Sequence, residues 1–296
     1  MQTIIMMQDG SKNDNISAAE VKKRPFAFYT IVREENYYLP KWYAYYSQFV
    51  DDKDIHIIHH KPQNNKRAEK DTCCDFLKQK DCSVYVEDQE FFSTRWIRDV
   101  AKQYQQKLLT EYEAVVFTDV DEIITVHPDS GFAHLGEFMR HFVDNPKEPS
   151  NWRVTGYSLI HLPDAGEPAF DYDKPIFEQR MYWYRDRYYD KPLVSKIALD
   201  WVFGFHTAPN MNLKPHPHLY MIHLHQFDFD WYMQRHVRWA KEYKVADEDK
   251  RSTYNSHYRE ENSEKLTFQY YHYFRKQTRI DPTLLPRWVR ERLAVI

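Results

Sequence analysis

Apolar and polar positions along the first 126 residues switch between two periods. Phe26 to Val32 (FAFYTIV) is a continuous apolar run of strand length, rich in aromatic and β-branched residues. Glu34 to Phe49 places Leu39, Trp42, Tyr43, Tyr46 and Phe49 at helical spacing. Ile55 to His59 reads as a second strand, residues 61–81 as polar and irregular, and Ser83 to Val86 as a third strand. Phe91 to Tyr112 carries Trp96, Ile97, Val100, Tyr104, Leu108 and Leu109 in a helical pattern. Ala114 to Thr118 is a fourth strand that runs directly into Asp119-Val120-Asp121-Glu122. This alternation predicts an α/β fold with a mostly parallel central sheet flanked by helices. In such sheets ligands gather beyond the carboxyl ends of the strands, where Asp119 and Asp121 fall.

Beyond residue 126 the pattern loosens. Trp152 to Leu162, Leu193 to His206 and Leu219 to His225 read as strands. Phe227 to Tyr243 is helical, with Trp231, Gln234, Arg235, Arg238 and Trp239 at helical spacing. The tail ends in a short basic helix over Leu284 to Leu293. Residues 1–23 form a polar lead-in, and 24–296 read as one domain.

Composition narrows the chemistry. Only 6 of 296 residues are Gly, and no two lie within four positions of each other. That excludes the dinucleotide fingerprint, the Walker phosphate loop and the nucleophile elbow, which need glycine where backbone approaches a ligand. A net charge of −3 implies no general attraction to nucleic acid. The cysteines, Cys73, Cys74 and Cys82, have neither disulfide-framework nor zinc spacing, which suits a reducing compartment. Ile4 to Met7 is too short for a signal-peptide core, and no stretch nears the roughly 18 apolar residues of a spanning helix. The expectation is a soluble, cytoplasmic protein. Arg287, Arg290 and Arg292 beside Trp288 suggest at most peripheral membrane contact.

Asp119 and Asp121 stand two apart in extended chain and so share a face. Two carboxylates together call for a cation, and hard oxygen ligands suit Mg²⁺ or Mn²⁺. The bland alternative is an acidic loop after a strand. Five histidines, His206, His216, His218, His223 and His225, fall within twenty residues. His223 and His225 share one face of their strand, and either could complete a metal shell begun by Asp121. For any single histidine, simple packing is the alternative.

Three segments together resemble a family. Thr30-Ile-Val-Arg-Glu-Glu-Asn-Tyr-Tyr-Leu-Pro-Lys-Trp42 resembles the opening of family 2-like and family 92-like glycosyltransferases, with Glu34 where they carry Asn. Phe117-Thr-Asp-Val-Asp-Glu122 resembles their metal-binding Asp-x-Asp-Glu. Trp201 to His206, Ile222 to His225 and the Arg235 helix resemble their C-terminal region. The resemblance implies a GT-A fold, a Rossmann-like sandwich in which 24–126 bind a nucleotide sugar and 127–296 bind the acceptor. It implies that Asp119 touches ribose or metal, that Asp121 ligates Mn²⁺ or Mg²⁺, and that His225 is the later ligand, with His223 and His206 as alternatives. Thr30, Val32, Arg33 and Glu35 would hold base and ribose; His59-His60-Lys61-Pro62 stands where the family has an acidic turn.

Lys196 and Arg235 are candidates for the donor diphosphate, as are Arg95, Arg98 and Lys102 on one helical face, with a solvated surface as the alternative. An inverting enzyme needs a general base, for which Asp200 and Asp164 are the candidates. Trp183, Tyr184, Tyr188, Tyr189 and Trp231 could stack on sugar rings, the alternative being core packing. The implied partners are a nucleotide-diphosphate sugar, probably UDP-linked by the family pattern, and a saccharide, glycan or glycolipid acceptor. Two other readings are a haloacid-dehalogenase-like phosphatase using Asp119 and Asp121, and a non-catalytic carbohydrate-binding protein on a transferase fold.

Overall fold

The structure, a computed structural model, describes residues 22–61, 72–89, 91–242, 260, 262–272 and 278–296. Calls on 1–21, on 62–71 and on Tyr243 lie outside them. The apolar runs of the first half become strands β1 (Arg24–Val32), β2 (Ile55–Lys61), β3 (Ser83–Asp88) and β4 (Tyr112–Phe117). All four are parallel, in spatial order β3-β2-β1-β4, and Phe28 lies between Ile55 and Val116. Helices α1 (Tyr38–Tyr46), α2 (Thr72–Leu77) and α3 (Thr94–Glu111) connect them. Helices on a parallel sheet bury its strands, which is why β1 and β4 read as unbroken apolar runs.

The second half mixes strand directions. It holds β5 (Glu122–Val126), α4 (Leu135–Asp144), β6 (Asn151–Ile160), α5 (Ile176–Gln179), β7 (Tyr182–Arg185), β8 (Pro192–Ser195), β9 (Pro215–Gln226), α6 (Phe229–Glu242), α7 (Ser263–Tyr271), β10 (Thr283–Leu284) and α8 (Arg287–Arg292). β8 is antiparallel to β4 and β6; β9 is parallel to β6 and antiparallel to β5. The sheet is therefore parallel through its N-terminal half and mixed beyond it.

Three boundaries differ from the pattern. The first helix starts at Tyr38 rather than Glu34, because Glu34 takes a left-handed turn (φ 52°). The run from Leu193 leaves the sheet at Ser195, whose hydroxyl folds back on Ile197 and closes a turn. Residues 72–77 are helical within the stretch read as irregular.

Part of the aromatic surplus has a backbone role. Tyr46 Oη accepts from Ile124 N (2.9 Å) and donates to Glu122 O (3.2 Å), while Tyr45 Oη donates to Ile124 O (2.8 Å). Phenols of α1 thus satisfy buried peptide groups along β5 that would otherwise be orphaned. Trp42 Nε1 donates to Thr118 Oγ1 (2.6 Å) and pins the end of β4. Among the described residues no helix is long and apolar enough to cross a membrane.

Candidate active site

The chain leaves β4 through a tight turn in which Glu122 N bonds Asp119 O (3.0 Å). β5 begins at Glu122 and pairs with β9, so that Glu122 opposes His223 and Leu224 N bonds Asp121 O (2.8 Å). Strand pairing therefore carries Asp121 to the face of β9 on which His223 and His225 alternate. The two imidazoles are stacked, 5.3 Å apart and 5° from parallel. One ligand atom from each of Asp121, His223 and His225 lies within 4.8 Å of the other two. Burial pushes His223 down to about 3, so its ring is neutral and keeps a lone pair for a cation.

Two buried cations organise the carboxylates here. Arg235 on α6 bonds Asp121 Oδ2 through Nη1 (2.8 Å) and Glu35 Oε1 through Nη2 (3.0 Å). Its guanidinium carbon lies 4.9 Å from the centre of the Tyr38 ring and 4.3 Å from that of Trp239. Burial alone would raise the Asp121 carboxyl, but Arg235, by charge and by hydrogen bond, brings it below its ordinary value. Lys191 enters from beside β8, bonds Asp119 Oδ2 (3.1 Å) and pairs with the fully buried Glu122. Burial works against the charge on Lys191, and Glu122 and Asp119 more than restore it.

All these groups border one cavity of about 870 Å³ at the carboxyl ends of β1 and β4. Val32, Arg33, Glu35, Asp119, Asp121, His223, His225 and Arg235 line it, so three sequence segments converge there. Thr30 lies buried within β1 and does not reach it. Asp119 borders it but turns to Lys191, outside the Asp121–His223–His225 group. His206 also borders it, with Nδ1 2.7 Å from Tyr188 O. Lys196 lies elsewhere, with Nζ 4.4 Å from the centre of the Phe142 ring. Asp200 is exposed and pairs with Lys102 (3.0 Å). Asp164 lines a separate cavity of about 280 Å³ with Tyr271 and Arg279. Tyr184, Tyr188 and Tyr189 line the large cavity, whereas Trp183 stacks on Tyr157 (4.0 Å) and Trp231 packs on Tyr37.

Sequence reasoning missed Lys191, Asp186 and His236, all on the cavity wall. Lys191 carried a signal of the kind that exposed Asp119, a charge adjoining a buried apolar strand. Asp186, after β7, caps the next turn by accepting from Tyr188 N (3.0 Å), and burial pushes it up to about 6. His236 Nε2 lies 3.2 Å from His225 Nε2.

The donor set fits a first-row divalent ion. Ligand atoms sit roughly 2.1 Å from such an ion, so any two lie within about 4.2 Å of each other. A group already within 4.8 Å needs only small side-chain adjustments to close on one. A carboxylate with two imidazoles suits Mn²⁺ better than Mg²⁺, which prefers oxygen throughout.

No protein-family model and no curated protein matches the chain. Among solved structures it is similar to S. aureus TarS, at 12% identity over 76% of this chain and 41% of that one, with a TM-score of 0.33. Against S. aureus TarS 1–349 the identity is 12% over 76% and 68% of the two chains, with a TM-score of 0.36. Against mouse xyloside xylosyltransferase 1 in its apo form it is 13% over 46% and 52%, with a TM-score of 0.25. The chain thus spans less than half the length of the first of these. What the site can do follows from its own geometry.

Proposed function

We propose that this chain is a divalent-metal-dependent glycosyltransferase that moves a sugar from a UDP-linked donor to a saccharide, glycan or glycolipid acceptor. One observation carries the reading: Asp121, His223 and His225 gather on the wall of an 870 Å³ cavity, beside the end of the first strand. Asp121, His223 and His225 would hold Mn²⁺ or Mg²⁺. The bound ion would supply Lewis-acid stabilisation of charge on the departing diphosphate. Val32, Arg33 and Glu35 face the nucleoside end, and Tyr188 and Tyr189 offer rings for the apolar faces of sugars.

Asp200 and Asp164 do not border the cavity, so the base is assigned to Asp186. Five carboxylates line the cavity. Glu35 and Asp121 are tied to Arg235 and Asp119 and Glu122 to Lys191; among the described residues Asp186 has no such ion pair, although the charge of Arg185 acts on it. As the acceptor oxygen bonds to the anomeric carbon, the bond from that carbon to the diphosphate oxygen breaks. Its electron pair leaves with the diphosphate, and the acceptor proton passes to the Asp186 carboxylate.

The test is thermal-shift screening with UDP, GDP and TDP sugars, with and without Mn²⁺. Metal-dependent stabilisation by the UDP sugar is expected. Absence of metal-dependent stabilisation by every nucleotide would sink the proposal.

A further inference from the structure

Arg235 competes with a cation for the Asp121 carboxylate. Its Nη1 occupies Asp121 Oδ2 at 2.8 Å, the same oxygen that lies 3.8 Å from His223 Nε2. It is held in place by the Tyr38 and Trp239 rings, whose centres lie 4.9 and 4.3 Å from its guanidinium carbon. Its second arm is fixed on Glu35, and its Nε is buried without an acceptor.

The charges around it do not balance with a metal alone. Among the described residues, five acidic and five basic side chains line the cavity, so its formal charges already cancel before a metal is added. Ligating imidazoles must be neutral. A divalent ion therefore adds an uncompensated +2, and two cations then share the Asp121 carboxylate away from water. Like charges in a buried site repel strongly, since the effective dielectric is far below that of water. An anion of two or more charges, placed in the same cavity, removes the excess. The unsatisfied Nε–H of Arg235 is a donor that such an anion can use.

We infer that Arg235 weakens cation binding at Asp121 until a diphosphate enters, so that metal and donor diphosphate load as a pair. The inference rests on the proposed metal site, and it gives Arg235 a role in the order of loading. It also offers a reason why the cavity keeps an arginine bonded to a metal-ligand carboxylate.

The experiment is calorimetric titration of the whole chain with Mn²⁺, alone and with saturating UDP, in wild type, Arg235→Met and Arg235→Lys. Wild type should bind Mn²⁺ weakly alone and tightly with UDP. Arg235→Met should bind Mn²⁺ alone about tenfold tighter than wild type, the scale of losing one like charge in a partly screened site, and UDP should add less. Arg235→Lys keeps the charge and should resemble wild type. Circular dichroism checks folding, and Arg235→Gln is read the same way if the methionine variant does not fold. Equal Mn²⁺ affinity in wild type and the neutral variants overturns the role of Arg235 and leaves the metal site standing. No Mn²⁺ binding in any variant, with or without UDP, overturns the metal site and this inference together.

Discussion

Lys191 Nζ lies 3.1 Å from Asp119 Oδ2, so the two aspartates of one turn answer to different cations. Asp121, two residues on, answers to Arg235 and faces the histidines. The motif that looks symmetrical in sequence is therefore divided in space. Asp121→Ala should lower Mn²⁺ affinity by at least about 100-fold, because it removes a direct ligand. Asp119→Ala should keep it within about tenfold. Calorimetric titration of both variants decides, and comparable losses would place Asp119 in the metal shell.

Lys191 is the counter-charge for Glu122, which is wholly buried at the head of β5. Lys191→Met leaves that carboxylate without a partner, and removing one member of a buried pair typically destabilises by about 3–5 kcal/mol. Urea denaturation at pH 7 measures the loss. Adding Glu122→Gln to Lys191→Met should recover part of it, since only the part-exposed Asp119 carboxylate then lacks its lysine. No recovery would show that packing of the lysine stem matters more than its charge.

Asp186 sets a pH dependence with a definite sign. Burial raises its carboxyl to about 6, against an ordinary value of about 3.9 in the unfolded chain. The folded state then holds a proton that the unfolded state has released. This contribution to stability is fully present below about pH 4 and fades as the pH rises through about 6. Transfer should run the other way, rising through about pH 6 as the base ionises. Asp186→Asn should leave binding of UDP and Mn²⁺ unchanged, reduce turnover by about 100-fold or more, and erase the limb near pH 6. A variant that keeps the limb points to another base.

Glu34 sits at φ 52°, a backbone region that costs an ordinary side chain about 1 kcal/mol. Asn tolerates it better, and Asn is what the resembling family carries there. Glu34→Asn should raise the melting temperature by roughly 2–3 °C. An unchanged or lower melting temperature would mean that the Glu34 side chain makes a compensating contact.

Much of this was legible beforehand, for identifiable reasons. The apolar runs of β1, β2 and β4 announced a buried parallel sheet, and Asp119 and Asp121 stood out because charge rarely adjoins such a run. His223 and His225 were visible as a pair through strand period. Partnering was not visible. That Arg235 takes Asp121 while Lys191 takes Asp119 depends on β5 returning alongside β9, and no local pattern encodes that. β7 escaped because four residues are too few for a period to show. Asp200 and Asp164 drew notice by adjoining predicted strands, but the first of those strands ends at Ser195. The low glycine count bore on motifs alone and said nothing of where the few glycines would sit.

One of those few, Gly156, lies under the arch from Asp186 to Lys191. Its N–H bonds Asp190 Oδ1 (2.8 Å), and a Cβ built on it would come within 2.5 Å of the Tyr189 carbonyl. The arch thus carries the proposed base, a ring stacked 4.1 Å from His223 and the lysine clamp, and it rests on a position where a single hydrogen fits. Variation in substrate range therefore has unequal routes open to it. The end of β1 at Val32 and the turn at Gly204 to His206 border the cavity apart from the Arg235 and Lys191 pairs and can change one wall at a time. Lengthening the arch, or enlarging residue 156, shifts proton acceptor, ring and clamp in one movement. Descendants of this chain with new substrates should differ at the first two places and keep the third.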